Sequence, residues 1–200
     1  AWDPCRGVII MPARSILTAF VAVGMCFSVS GVDNIEEAWE ALRDGRAVLM
    51  LRHALAPGTG DPGNFDIKDC STQRNLNDTG REQARAWKPF LADHGITDAR
   101  VFSSQWCRCM DTATGMDMGE VTEWPSLNSF FRNRGDGPTQ TRQTITLVNQ
   151  LEEGAPVIMV SHQVNITSLT GIFPSSNEGA IIALPLSEDP TVLARVSPGR

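Results

Sequence analysis

The sequence predicts an α/β fold: a three-layer sandwich with a mostly parallel central sheet and helices on both faces. Three observations carry that expectation. The apolar runs Ala47-Val48-Leu49-Met50-Leu51 and Val157-Ile158-Met159-Val160 read as buried strands. Segments with helical spacing alternate with such runs along the chain, as they do where helices cover both faces of a sheet. Each of the two runs also puts a histidine just past its carboxyl end, His53 after Arg52 and His162 after Ser161. Open α/β sheets set their ligand crevices at that edge.

The first thirty residues stand outside this pattern. Met11-Pro12-Ala13-Arg14 is a short basic start, residues 16–29 are apolar and uncharged, and Ser28-Val29-Ser30 supplies the small residues that a signal peptidase reads. Residues 11–30 are therefore expected to be a signal peptide cleaved before Gly31, which makes the mature protein periplasmic or secreted. The apolar stretch is shorter than the ~20 residues that span a bilayer, so no stable membrane insertion is expected after cleavage. Residues 1–10, upstream of the initiator-like Met11, read as a non-native or upstream extension. One domain, residues 31–200, remains.

Within that domain Asp33, with Glu36 three residues on, opens an amphipathic helix with Ile35, Ala38, Trp39 and Leu42 on one face, and Gly45 ends it. Strand 47–51 follows. The stretch 56–64 is so rich in Gly and Pro that only a loop holds it, and loops of that length are usually functional. Its place directly after Arg52-His53 makes it the expected rim of a site. Thr79-Gly80-Arg81-Glu82 reads as a capping box for a helix carrying Ala84, Trp87 and Leu91 up to Gly95. Strand 99–102 comes next, then a helical segment 110–114 with Cys109, Thr112, Ala113 and Met116 on one side, and a short strand 120–123. A helix over 139–151, with Ile145, Val148 and Leu151 as its buried stripe, precedes strand 157–160. Apolar runs 180–186 and 191–196 close the chain as strands, the second at an edge.

A domain of 170 residues is long enough for a sizeable core. Losing Asp3, Arg6 and Arg14 with the leader moves the formal charge from −6 to −7. An acidic surface without a basic cluster argues against nucleic acid as a partner. Of five cysteines, Cys70, Cys107 and Cys109 fall in the domain. Export would permit a disulfide from Cys70 to Cys107 or to Cys109, leaving one thiol over. No Cys/His spacing matches a metal site, and neither a metal nor a cofactor is expected.

Between the two histidines, Ser103-Ser104-Gln105-Trp106-Cys107-Arg108 follows strand 99–102, so Arg108 joins Arg52 at the same edge. Arg52-His53, Cys107-Arg108 with Thr112-Ala113, and Ser161-His162 together resemble the three signatures of the histidine phosphatase superfamily, which includes phosphoglycerate mutases and acid phosphatases. The resemblance extends to Leu76-Asn77-Asp78-Thr79-Gly80 and covers most of the domain in order and spacing. The phrases Asp69-Cys70-Ser71-Thr72-Gln73-Arg74-Asn75-Leu76 and Ser161-His162-Gln163-Val164-Asn165-Ile166 are more similar to an exported bacterial branch near the lipopolysaccharide heptose phosphatases. Membership implies a phosphoglycerate mutase-like fold and a phosphomonoester as the small-molecule substrate.

The chemistry follows from the residue types. A phosphomonoester carries up to two negative charges, so a neutral imidazole suits the attack better than an anion does, and His53 is the expected nucleophile. Arg52 and Arg108 match the phosphoryl oxygens bidentately, and His162 supplies a further hydrogen bond. His94 reads as a helix-end residue, Trp87 and Trp106 as core or wall, and Ser103-Ser104 as a turn. No Gly-x-Ser-x-Gly elbow surrounds these serines. One departure stands out: many members carry a proton-donating glutamate directly after a Leu-Asn pair, whereas Leu127-Asn128 is followed here by Ser129. Glu123 and Asp136 are the nearest carboxyls in sequence. The competing expectation is therefore a phosphate- or phosphosugar-binding protein that keeps the pocket without turnover.

Overall fold

The computed structural model describes residues 31–199, so the expected extension and signal peptide lie outside the described residues. Helix α1 (Gly31–Arg43) leads into β1 (Ala47–Arg52), and α2 (Asp78–Asp93) into β2 (Arg100–Ser103). Then come α3 (Cys107–Met116), β3 (Val121–Glu123), α4 (Gly137–Asn149), β4 (Val157–Ser161), α5 (Gln163–Thr170), β5 (Gly179–Ala183) and β6 (Val192–Val196). The strands form one sheet in the order β3-β2-β4-β1-β5-β6. The four strands β3, β2, β4 and β1 are parallel, β5 runs antiparallel to β1, and β6 pairs antiparallel with β5 at the edge. No helix among the described residues is long and apolar enough to cross a membrane.

Because successive strand residues point to opposite faces, each buried strand feeds two cores. Leu49, Leu51, Val101, Ile158 and Val160 meet Trp39 and Leu42 of α1, Trp87 and Leu91 of α2, and Ala113 and Met116 of α3. Their neighbours Val48, Met50, Phe102 and Met159 meet Val148 of α4 and Ile166 and Leu169 of α5. This two-sided burial is why the strands read as continuous apolar runs.

Register brings the functional ends level. Arg52 lies opposite Ser161, and Ser103 lies opposite Val160. The backbone N–H of His53 donates to Ser161 O and that of Ser104 to Val160 O, each at 2.9 Å. Three adjacent strands thus end at one edge.

Several boundaries differ from expectation for physical reasons. Helix α1 begins two residues before Asp33. Helix α2 is capped by Asn77, whose Oδ1 accepts from Gly80 N at 2.8 Å, not by Thr79; asparagine is the stronger cap. Helix α3 begins at Cys107 because Gln73 Oε1, from a distant loop, accepts that residue's N–H at 3.0 Å. Helix α5 has no counterpart in the expected elements: its Thr- and Val-containing sequence has weak helix propensity, and the histidine before it and Gly171 at φ 73° after it set its limits. Strand β5 stops at Ala183, ahead of Pro185, which lacks an N–H for the ladder.

Gly80, in the first turn of α2, packs on the segment that follows His53. A methyl there would sit 2.1 Å from Leu55 O. Overpacking of this kind costs about 1–3 kcal/mol, so Gly80→Ala is expected to lower the unfolding free energy of the purified domain by that amount, read from a lower midpoint in a urea titration.

Candidate active site

His53, Arg108 and His162 converge because each sits one step past a strand or in the helix turn that follows one. His53 follows β1, Arg108 lies in the first turn of α3 after β2, and His162 caps α5 after β4. Thr112 fixes two of these segments together. Its hydroxyl accepts from Ala54 N at 3.0 Å and donates to Arg108 O at 2.7 Å, joining the chain beside His53 to α3.

The hydrogen bonds decide the tautomers. His53 Nδ1 lies 2.8 Å from Ala54 O, a pure acceptor, so Nδ1 carries the proton. Its Nε2 therefore holds a lone pair, and Arg108 Nε donates to it at 3.2 Å. His162 is arranged the other way round. Its Nε2 donates to Ser104 Oγ at 2.9 Å, Ser104 in turn donates to Asn128 Oδ1 at 3.1 Å, and Nδ1 lies 3.4 Å from Arg108 NH2. The two rings stand nearly perpendicular with centroids 5.5 Å apart. Both imidazoles are buried.

Burial first, then the charge of Arg108, pushes His53 down to about 3, and the same two causes hold His162 well below the ordinary histidine range. Both rings are neutral at physiological pH. The thiol of Cys109, 3.5 Å from His162 Nε2, is pushed up to about 12 by burial and stays protonated, so it offers no competing nucleophile.

The cavity over these groups has a volume of about 360 Å³. Arg52 lines it, giving NH1 to Pro174 O at 3.1 Å while its buried Nε has no partner. Arg74 lines it too, tying the Gly/Pro loop down through Gly60 O at 2.8 Å and Ala56 O. The disulfide Cys70–Cys107 clamps the segment carrying Arg74 to the start of α3, and Cys109 is the thiol left over among the described residues. The cavity sets a neutral lone pair among four guanidinium groups, those of Arg52, Arg74, Arg108 and Arg132, a combination suited to attack on a phosphoryl group.

The family model for the histidine phosphatase superfamily (branch 1) matches residues 48–141. Over those residues the chain matches the histidine phosphatase superfamily. Phosphatase is the enzyme class that goes with it. Among solved structures, that of the protein histidine phosphatase SixA complexed with tungstate aligns with a TM-score of 0.55 at 21% identity, over 76% of this chain and 97% of that one. SixA from Agrobacterium tumefaciens gives 0.53 at 19%, over 77% and 99%, and mycobacterial hydrolase 1 gives 0.52 at 18%, over 74% and 95%. At these identities the likeness is one of fold. No curated protein matches the chain.

Against the expectations for a histidine phosphatase, Arg52, His53, Arg108 and His162 all line the one cavity. His162 departs in one respect: the nitrogen beside Arg108 is an acceptor in the unliganded site, not the expected donor. Ser129 lines the cavity, whereas Glu123 and Asp136 do not; Glu123 is exposed and accepts from Gln105 Nε2 at 3.0 Å. His94 caps α2 and stacks on Trp39 at 4.0 Å, and Trp87 is fully buried. Trp106 forms cavity wall against Phe65. Ser104 does more than shape a turn, since it orients His162. Sequence reasoning missed Asp61, Arg74 and Asn128 as site residues; all three fall in segments already singled out, but none had a partner visible in the sequence.

A free imidazole titrates near 6.5, above both buried rings, so below that pH the unfolded chain binds more protons than the folded one. Stability is therefore unaffected by these rings above pH 6.5 and falls as pH drops from 6.5 toward 3, by up to ~1.4 kcal/mol per pH unit for each ring. Urea midpoints at pH 7.5, 6.0 and 5.0 are expected to show this decline before most carboxylates titrate. In the folded protein the His53 ring protons should hold their neutral NMR shifts down to pH 5.

Proposed function

We propose that the protein is a phosphomonoester hydrolase acting through a phosphohistidine on His53. The observation that carries this reading is the lone pair of His53 Nε2, kept neutral by burial and set beside Arg108 within a cavity lined by three further arginines. Attack by Nε2 forms the N–P bond as the ester P–O bond breaks and the leaving oxygen takes the electron pair. Arg52 and Arg108 hold the phosphoryl oxygens as charge spreads over them. Burial and then the charge of Arg108 keep His162 neutral; a bound dianion offsets the second of these and favours proton uptake at Nδ1, which makes that ring a donor. Water then attacks phosphorus, releasing inorganic phosphate and the imidazole. No metal is needed in this sequence of steps.

The leaving oxygen needs a proton unless it is intrinsically stable as an anion. Asp61, the carboxylate that lines the cavity, is held ionised despite its burial by hydrogen bonds from Arg108, and Ser129 is no acid at neutral pH. Aryl phosphates are therefore expected to turn over fast and alkyl phosphates slowly. The same observation favours the second reading, a phosphate- or phosphosugar-binding protein without turnover. Export is also part of the proposal. It is supported by the Cys70–Cys107 disulfide, a bond that persists in oxidising compartments.

Incubation of the purified domain with an aryl phosphate tests the first reading: hydrolysis in the parent and its loss in His53→Ala are expected. Acid quenching destroys the intermediate, whereas alkaline quenching should leave phosphate covalently on His53. Parental turnover in the alanine variant removes His53 from the mechanism, and phosphate binding without hydrolysis in the parent selects the second reading.

Arg108→Lys keeps the charge and loses the planar fork. Loss of such a donor commonly costs on the order of 100-fold in rate, and that fall in kcat is expected in steady-state assays of the lysine variant.

A further inference from the structure

We infer that Asp61 is a positioning residue that fixes which edge of the Arg108 guanidinium the phosphoryl group meets; the inference rests on the phosphatase reading above. A guanidinium has two bidentate edges, one made by Nε and an NH2 group and one made by its two terminal nitrogens. In Arg108 the first edge faces the chemistry, with Nε on His53 Nε2 at 3.2 Å and NH2 beside His162 Nδ1 at 3.4 Å. The second edge is taken by one carboxylate. NH1 donates to Asp61 Oδ1 at 2.7 Å and NH2 to Asp61 Oδ2 at 3.3 Å. The side chains of both partners are largely removed from water, Arg108 at 3% exposure and Asp61 at 10%.

Asp61 is itself held from several directions. Trp106 Nε1 donates to Oδ2 and Arg74 N to Oδ1, each at 3.2 Å. Across the cavity mouth, Arg132 donates to the backbone carbonyls of Asp61 and Pro62. These bonds make the carboxylate a fixed abutment rather than a loose counter-ion. An arriving phosphoryl group offers better acceptors than the two neutral imidazole nitrogens, so it takes the Nε/NH2 edge while Asp61 keeps the other. Without the carboxylate, the guanidinium is free to turn its terminal fork to the anion and lose its alignment with His53.

An opposed role, in which Asp61 occupies the anion's own place and must leave, predicts the opposite sign in a binding measurement. Tungstate, a tetrahedral oxyanion, is titrated calorimetrically into the parent, Asp61→Asn, Asp61→Glu, Arg108→Ala and the Asp61→Asn/Arg108→Ala double variant, and kcat for an aryl phosphate is measured on each. Asparagine keeps the shape but turns an amide N–H₂ toward a donor. Asp61→Asn is expected to bind tungstate about tenfold more weakly, the loss of one charge-assisted hydrogen bond, with kcat down on the order of 100-fold. Asp61→Glu, which keeps charge and loses geometry, should fall in kcat as well. In the Arg108→Ala background Asp61→Asn should change neither quantity, a coupling that a merely structural loop residue does not produce. Tighter tungstate binding by Asp61→Asn, parental kcat in Asp61→Glu, or equal losses in both backgrounds overturns the inference. A parent that turns nothing over sinks the phosphatase reading instead, and the tungstate arm still decides the role of Asp61.

Discussion

The site depends on one buried charge placed between two neutral rings. The guanidinium of Arg108 lies within hydrogen-bond distance of both His53 and His162. Its field, added to burial, keeps both imidazoles neutral, and its N–H groups set the direction of the lone pair on His53. A positive group beside a nucleophile is usually a compromise, because it withdraws basicity from the atom that must attack. Here the compromise is favourable: the substrate brings negative charge of its own, and the same guanidinium that lowers the basicity of His53 draws the phosphoryl group toward it.

The surroundings serve to hold that arrangement. Thr112 ties the segment beside His53 to the helix carrying Arg108, the disulfide and Gln73 tie the Arg74 segment to the same helix, and Ser104 with Asn128 fixes the tautomer of His162. Asn177, left-handed at φ 64°, accepts from Trp87 Nε1 at 2.8 Å and donates its N–H to His53 O at 3.2 Å. A tryptophan in the hydrophobic core is thereby coupled to the backbone of the nucleophile. Packing and chemistry share these residues, so substitutions meant to probe one also disturb the other.

The layers, the sheet edge and the four charged or aromatic-nitrogen residues at its centre were legible because local patterns encode them. Strands buried on both faces are apolar runs, and strand ends are where polar residues abruptly follow. Asp61, by contrast, was hidden in a loop whose composition announces a turn and says nothing of a partner 47 residues away. Ser104 reads as a turn residue, and Asn128 only as half of the Leu127-Asn128 pair, because their roles exist only once β2, β4 and the 127–129 segment are side by side. Helix α5 was missed for a similar reason: its limits come from tertiary contacts, not from a strong helical period. The choice of Cys107 over Cys109 as the partner of Cys70 likewise needed the helix, which turns Cys109 into the core and leaves Cys107 toward the loop.

Arg74 reaches two points of the Gly/Pro loop, Ala56 O and Gly60 O, and so closes it on itself at its base. The loop carries much of the cavity mouth, and beyond that fastening its Asp61 is bonded to Arg108 and Trp106 on the helix side of the site. Lengthening or shortening it displaces the carboxylate on which Arg108 rests. The stretch of chain that shapes entry to the cavity is therefore also the one that steadies its central guanidinium, and a lineage with this fold cannot remodel the mouth at that loop without retuning the reaction centre.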